Sequence, residues 1–419
     1  MNKAKPFDIP KREVWEAFKH VKANQGAAGV DGQSIREFEA DLSNNLYKLW
    51  NRMSSGSYSP PPVRRVEIPK ANGGTRPLGI PTVADRIAQE VARRFLEPYL
   101  EPVFHTDSYG YRPGRSAHDA VRTARERCWR HDWVLDLDIK GFFDSIDWEL
   151  LLKTVRHHTD CSWVLLYIER WLKAPERRED GSVVSRTAGT PQGGVISPLL
   201  ANLFLHYALD MWMMRTYPHI PFERYADDII CHCKSADEAR ALWSALADRL
   251  AACKLILHPE KTKIIYCKDA NRRGDFPNQS FDFLGFTFRA RKTIWQGHIP
   301  AHGFMPAASP AALKAMSRTI RRWALHHRSD KSLQDLAAMY NPCIRGWINY
   351  YGHFYHTQLR PTLTRIDAFL VRWARRKFKR LRHRIRGARD WFVRLRRATP
   401  TLFAHWQLCY GNGRTSGAV

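Results

Sequence analysis

Cysteine is scarce in this chain: eight residues in 419, with only Cys231 and Cys233 close together. That scarcity excludes a disulfide framework, and without a second pair at ligand spacing it excludes a zinc knuckle as well. Acids are also few, 41 Asp and Glu against 67 Lys and Arg, giving a formal net charge of +26. Such a balance points to a polyanion partner, either nucleic acid or an acidic surface. No stretch approaches the ~18 uninterrupted apolar residues of a membrane span. The opening MNKAKPFDIPKREVWEAFKH has no apolar run followed by small residues, so no secretory signal is read there. A reducing cytoplasm and no membrane partner are the expectations. A hydrophobic content of 44% and an aromatic content of 12% describe a globular chain and not a disordered one. Its length leaves room for two or three domains.

The apolar pattern changes along the chain. Residues 11–50 read as helices broken by the turn-rich NQGAAGVDGQS. SSGSYSPPP cannot be helical. VRRVEIPK and the turn ANGGTRP read as a basic hairpin. VADRIAQEVARRFLEPYL has helical spacing, and WVLDLDI, Trp133 to Ile139, reads as a strand. TPQGGVISPLLANLFLHYALDMWM opens with a turn and becomes a long apolar helix. FERYADDIICHC reads as two short strands about a turn, with strands following at KTKIIYC and FDFLGFTFR. QGHIPAHGFMPAASP, residues 296–310, reads as a Pro/Gly-rich linker, and a boundary is placed near 305. Beyond it all apolar periodicity is helical. Val371 to Arg397 holds 13 Arg or Lys in 27 residues and one acid, Asp390, with Trp373, Phe378, Trp391 and Phe392 interleaved. That density of charge and aromatics favours nucleic-acid contact over a solvated face.

Strand alternation in WVLDLDI sends Leu135, Leu137 and Ile139 to one face and Asp136 and Asp138 to the other. Asp227 and Asp228 sit where a hairpin turn exposes them. Bringing the two segments together makes a group of like charges that repel strongly unless a cation intervenes. Mg²⁺ prefers carboxylate oxygens, and a pair of such ions can activate a 3′-hydroxyl and stabilise a departing pyrophosphate. An acidic site inside a basic chain therefore fits phosphoryl transfer on nucleic acid. Cys231, His232 and Cys233 are read as core residues, and the Tyr/Trp stripe over 340–354 as helix packing.

These motifs resemble, in order and spacing, those of reverse transcriptases. RYADD resembles the catalytic hairpin and LDLDIKGFFDSID the first catalytic strand. TPQGGVISPLLANLFL resembles the nucleotide-pocket helix, and HPEKTKIIY and FDFLGFTF the two elements after the hairpin. TRPLGIPTVADRIAQE, SYGYRPGRSAHDA, NQGAAGVDG and RGWINYYGHF look like the bacterial group II intron-encoded reverse transcriptase/maturase subgroup. The resemblance implies an α+β right-hand polymerase: fingers and palm with an antiparallel catalytic sheet over 1–305, a helical thumb or maturase domain over 306–385, and a basic, DNA-binding tail over 386–419. Asp138, Asp227 and Asp228 match the metal-binding catalytic acids, and Ile139 the residue lending a backbone carbonyl to metal. Lys70 and Arg76 match residues that grip the triphosphate, Phe143 the aromatic beside the ribose, and Gln192 the pocket-lining residue. Lys261 matches a general acid for pyrophosphate. Asp136, Asp144 and Phe142 are expected to be structural. Arg375, Arg376, Lys377, Arg380, Arg386, Arg389 and Arg394 are the expected nucleic-acid contacts.

The resemblance further implies two Mg²⁺ ions, with Mn²⁺ as a substitute. It implies as partners group II intron RNA, an RNA template with a DNA primer, target DNA and deoxynucleotides, all in the bacterial cytoplasm. The oligomeric state stays open between monomer and homodimer. Many relatives carry a C-terminal zinc-bearing HNH nuclease; here Cys409 stands alone after Cys343, so the form without that nuclease is expected. Two rivals stand beside the reading: a non-enzymatic splicing maturase, and a reverse transcriptase domesticated for host defence or repair.

Overall fold

Apolar residues recur at helical steps in α1 (Lys11–Asn24), burying Val14, Ala17, Phe18 and Val21 on one side. A Ser34–Glu37 capping box starts α2 (Ile35–Ala40), and α3 (Leu42–Ser54) follows. The computed structural model describes residues 5–69, 74–295 and 299–411. Its contacts divide the chain into two units, Met1–Arg127 with His131–Ile264, and Cys128–Arg130 with Ile265–Val419.

In the first unit β1 (Val63–Pro69) and β2 (Thr75–Ile80) form the antiparallel basic hairpin read from the sequence, with Ile68 opposite Arg76. Next comes α4 (Val83–Leu100), capped by Thr82 and buried on most sides, and then α5 (Ala117–Cys128). The strand β3 (Trp133–Asp138) buries Leu135 and Leu137 as alternation requires. Helices α6 (Phe142–Ser145), α7 (Trp148–His158) and α8 (Ser162–Lys173) precede a short hairpin, β4 (Glu176–Arg177) and β5 (Val183–Val184), which extends the first sheet in the order β2-β1-β4-β5.

The long apolar helix runs from Ser197 to Thr216 as expected, with a π-helical turn over His206–Asp210 set between α9 (Ser197–Leu205) and α10 (Met211–Thr216). Then β6 (Phe222–Tyr225) and β7 (Asp228–Cys233) form the second hairpin, and β7 pairs antiparallel with β3. Cys231, His232 and Cys233 are core residues, fully buried. After α11 (Ala236–Ala252), β8 (Lys263–Tyr266) leads out of the first unit.

In the second unit FDFLGFTFR is two strands, not one. Leu284 and Gly285 both take positive φ between β9 (Ser280–Phe283) and β10 (Phe286–Trp295), the requirement of a tight two-residue hairpin turn. From Ile299 the expected linker is likewise a strand, β11 (Ile299–Ala308), paired to β10 along its length; its residues 296–298 lie outside the described residues. Its prolines misled the sequence reading. Because β11 is an edge strand in the order β11-β10-β9, Pro300 and Pro306 need donate nothing to a neighbour.

Helices complete this unit as expected: α12 (Pro310–Arg322), α13 (Leu333–Tyr351), α14 (Arg360–Lys377), α15 (Ile385–Ala398) and α16 (Ala404–Tyr410). Tyr340, Ile344, Ile366, Leu370 and Trp373 share a core with Phe392, Phe403 and Trp406. Over its described residues, 386–411, the basic segment is thus packed, not trailing. Asp367 Oδ1 accepts from Trp406 Nε1 at 2.9 Å and lies 2.8 Å from His405 Nε2, while Tyr410 Oη donates to Oδ2 at 2.6 Å. Among the described residues no helix is long and apolar enough to cross a membrane.

Candidate active site

The register of β3 against β7 sets Asp138 directly opposite Asp228. Tyr225 pairs with Asp228 across the β6–β7 hairpin, so Ala226 and Asp227 form a two-residue turn. Ala226 has φ 56°, a left-handed value that such turns normally give to glycine. Gly110 backs this turn: a Cβ there would lie 2.4 Å from the Ala226 nitrogen, so only glycine permits the approach.

On the other edge of β3, Asp138 O accepts from His258 N at 2.7 Å and Lys140 N donates to Ile256 O at 2.8 Å. Successive carbonyls alternate edges along a strand, which turns the Ile139 carbonyl toward the β7 side. Three carboxylates and a main-chain oxygen are therefore gathered at one end of the sheet. Among the described residues no three acidic, His or Cys side chains already converge as a metal cage. Instead Lys261 Nζ donates to Asp138 Oδ2 at 2.8 Å.

Electrostatics match the crowding. Burial pushes the Asp227 carboxyl above the usual carboxylate range, Asp138 adds to the shift, and Arg76 and Lys261 offset part of it. Asp228 is pushed up to about 6, first by the surrounding protein and then by the charges of Asp227 and Asp138. A carboxyl with a raised folded-state pKa binds more protons folded than unfolded. Stability then falls as pH rises from its ordinary value of 3.8 to about 6, and stays lower above that. Asp228→Asn removes the repulsion. In chelator-containing buffer the variant is expected to melt above the parent at neutral pH and level with it below pH 3.8. A variant that melts lower than the parent at neutral pH would contradict this.

Arg76 lies at the exposed start of β2, near enough to bias Asp227; Lys70 lies outside the described residues. Gln192 sits in the Pro-Gln-Gly turn, its Nε2 3.5 Å from Asp144 Oδ2. Gly193, at φ 116°, packs so closely on β2 that a Cβ would meet Gly79 O at 2.4 Å. Gln89 Oε1 accepts from Val195 N at 2.8 Å, tying the turn to α4. Phe142 is buried, whereas Phe143 is half-buried. The Phe143 carbonyl accepts from Thr190 N at 2.8 Å, fixing its backbone beside the same turn.

Of the basic residues, three are drawn into their own unit. Arg375 donates to Arg382 O at 3.1 Å, Arg376 lies 2.8 Å from His327 Nδ1, and Lys377 donates to Lys331 O at 2.5 Å. Arg380, Arg386, Arg389 and Arg394 are exposed.

Sequence reasoning missed what lies under the hairpin: the buried side chains of Arg224, Asp210 and Asn202. The one available signal was a charged residue on each of two apolar segments, Arg224 beside the aspartate pair and Asp210 in HYALDMWM.

Known proteins resemble this chain over the same regions. Residues 68–288 match the reverse transcriptase (RNA-dependent DNA polymerase) family, and residues 313–391 the group II intron, maturase-specific domain. Protein YkfC of Escherichia coli K12 is 33% identical over 294 residues, 61% of this chain and 77% of that protein. The group II intron-encoded protein LtrA of Lactococcus lactis subsp. cremoris is 37% identical over 202 residues, 48% of this chain and 33% of LtrA. An uncharacterized 91 kDa protein in the cob intron of Schizosaccharomyces pombe is 34% identical over 195 residues, 45% of this chain and 23% of that protein. The chain spans only part of these two intron relatives. It belongs to the reverse transcriptase family and carries a maturase-specific domain of the group II intron type.

Proposed function

We propose that this chain is an RNA-directed DNA polymerase that extends a primer 3′-end with deoxynucleotides on an RNA template. The observation that carries the reading is the register of Asp138 opposite Asp228, with Asp227 on the adjoining turn. Asp138, Asp227 and Asp228, with the Ile139 carbonyl, would hold Mg²⁺ or Mn²⁺. An all-oxygen donor set, with the Asp227 and Asp228 carboxyls raised first by burial and then by neighbouring charge, fits a hard divalent cation. When bound, such ions lower the pKa of the attacking hydroxyl and neutralise charge on the departing pyrophosphate. Arg76 and Lys70 grip the triphosphate, Gln192 lines the pocket, and Lys261 stands within reach to protonate pyrophosphate. The segment to about 305 acts as fingers and palm, the helices from Pro310 as thumb, and 386–419 as a basic nucleic-acid-binding segment. Primer extension on an RNA template with deoxynucleotides and Mg²⁺ tests the reading; a purified, folded chain that adds no nucleotide would overturn it.

Phe143 is the residue proposed to exclude a ribose 2′-hydroxyl by contact. Discrimination by clash is lost when the bulk is removed. Phe143→Ala should raise ribonucleotide incorporation relative to deoxynucleotide by roughly tenfold or more, since a lost steric contact is typically a few kcal/mol. Unchanged selectivity in a folded variant would return Phe143 to a packing role.

A second role, binding the parent intron RNA to assist splicing and reinsertion, is supported by the maturase-specific domain. It is supported too by basic clefts in each unit. One of about 400 Å³ is lined by Arg64, Arg65, Arg177 and Arg178, and one of about 330 Å³ by Lys314, Arg318, Arg321 and Arg365. Phosphate contacts of this kind bind polynucleotides without reading bases.

A further inference from the structure

Arg224 precedes the catalytic turn by two residues, is fully buried, and spends its donors on three different segments. Its Nε and Nη2 donate to the two carboxylate oxygens of Asp210 at 2.8 and 2.6 Å. Its Nη1 donates to Asn202 Oδ1 at 2.9 Å and to the Ala226 carbonyl at 3.3 Å. Asn202 in turn donates through Nδ2 to the Gly110 carbonyl at 2.6 Å. Asp210 is also fully buried. Burial alone would raise its carboxyl, but the Arg224 guanidinium reverses this and holds it below the usual range. Asp210 ends the π-helical turn of His206–Asp210, and such turns are rare and concentrate at functional sites.

A buried ion pair is a poor investment in stability alone, since apolar residues of similar volume often serve as well. What an apolar pair cannot do is hydrogen-bond the carbonyl of Ala226. That residue's positive φ costs roughly 1 kcal/mol, and it sets the direction of the next residue, Asp227. We infer that Arg224 and Asp210 are positioning residues: together with Asn202 they lock the Ala226 turn so that Asp227 is presented to a divalent cation. The inference rests on the polymerase reading given above. Partners that orient a metal ligand typically contribute ~10–100-fold to metal affinity or activity.

The discriminating variant is Arg224→Met with Asp210→Leu, which fills the same space without the hydrogen bonds. Two measurements are made on the full chain: the Mg²⁺ concentration giving half of the Mg²⁺-induced rise in Tm, and kcat and KM for primer extension. The expected result is a folded protein whose half-saturating Mg²⁺ concentration rises ~10-fold or more and whose kcat falls ~10–100-fold, with KM for deoxynucleotide unchanged. Arg224→Lys, which keeps the charge but cannot serve Asp210, Asn202 and Ala226 at once, should show the same pattern below its own Tm. Parental Mg²⁺ response and kcat in either folded variant would overturn the inference. So would failure of both to fold, which would make the pair a requirement of the fold. A parent chain that neither responds to Mg²⁺ nor extends primers would instead remove the polymerase reading itself.

Discussion

Asp227→Asn should reduce deoxynucleotide addition by about a thousandfold or more while leaving RNA affinity intact. The substitution keeps size and most hydrogen bonding but removes a charge from the turn residue whose carboxyl feels that of Asp138. Metal-assisted charge stabilisation is worth several kcal/mol, and each ~1.4 kcal/mol is a factor of ten in rate. RNA affinity is assigned to surfaces that do not contain Asp227, including the cleft lined by Arg64, Arg65, Arg177 and Arg178. Single-turnover extension and filter binding on the same preparation separate the two effects. A variant that extends at a near-parental rate would show that Asp227 is not a metal ligand. A variant that loses both activities together would show that the substitution has disturbed the fold.

The other large effect is expected at the opposite end of the chain. Trp406 is almost fully buried, and its indole donates to Asp367 on α14. Trp406→Ala should cost about 3–5 kcal/mol, the usual range for emptying a large aromatic site in a core. Removing 386–419 takes away Phe392, Phe403 and Trp406 from the core, and strips Asp367 of the donors from His405, Trp406 and Tyr410. Such a truncation is expected to unfold the helical unit. If it melts within a few degrees of the full chain, the packing of α15 and α16 contributes little. A nucleic-acid role for Arg386, Arg389 and Arg394 is therefore tested by point changes on the exposed face of α15. Changing them together to Gln should flatten the salt dependence of binding with little loss of Tm, because each lost phosphate contact lowers the slope by about one.

Local rules made the palm legible. Alternation alone put Asp138 on the face away from Leu135 and Leu137, and the interrupted apolar run FERYADDIICHC gave a hairpin whose turn carries Asp227. The helices beyond Pro310 followed from period. Edge strand β11 was not legible, because proline counts against a strand in sequence, while at a sheet edge its missing N–H costs nothing. The break inside FDFLGFTFR was likewise hidden, since Leu284 gives no sign of a positive φ. Least visible was the support beneath the hairpin. Arg224, Asp210, Asn202 and Gly110 come from four segments, and no periodicity links them. Their meeting is a product of tertiary packing, in which a buried polar group must find its partner wherever the fold supplies one.

The ammonium of Lys261 on Asp138 has a consequence for how the site is loaded. Both partners remain partly exposed, 57% and 35%, so the contact is worth at most about 1 kcal/mol. It is weak enough to be surrendered and strong enough to temper the repulsion among the acids. If Asp138 takes up a divalent ion, as the polymerase reading requires, that uptake would be an exchange of cations and not a simple gain of charge. The amine set free by that exchange is the same group that would next meet the phosphates of an arriving nucleotide. On the polymerase reading, loading the acids and freeing Lys261 for the triphosphate would be two sides of a single equilibrium, and the site would charge its nucleotide side as it filled its metal side.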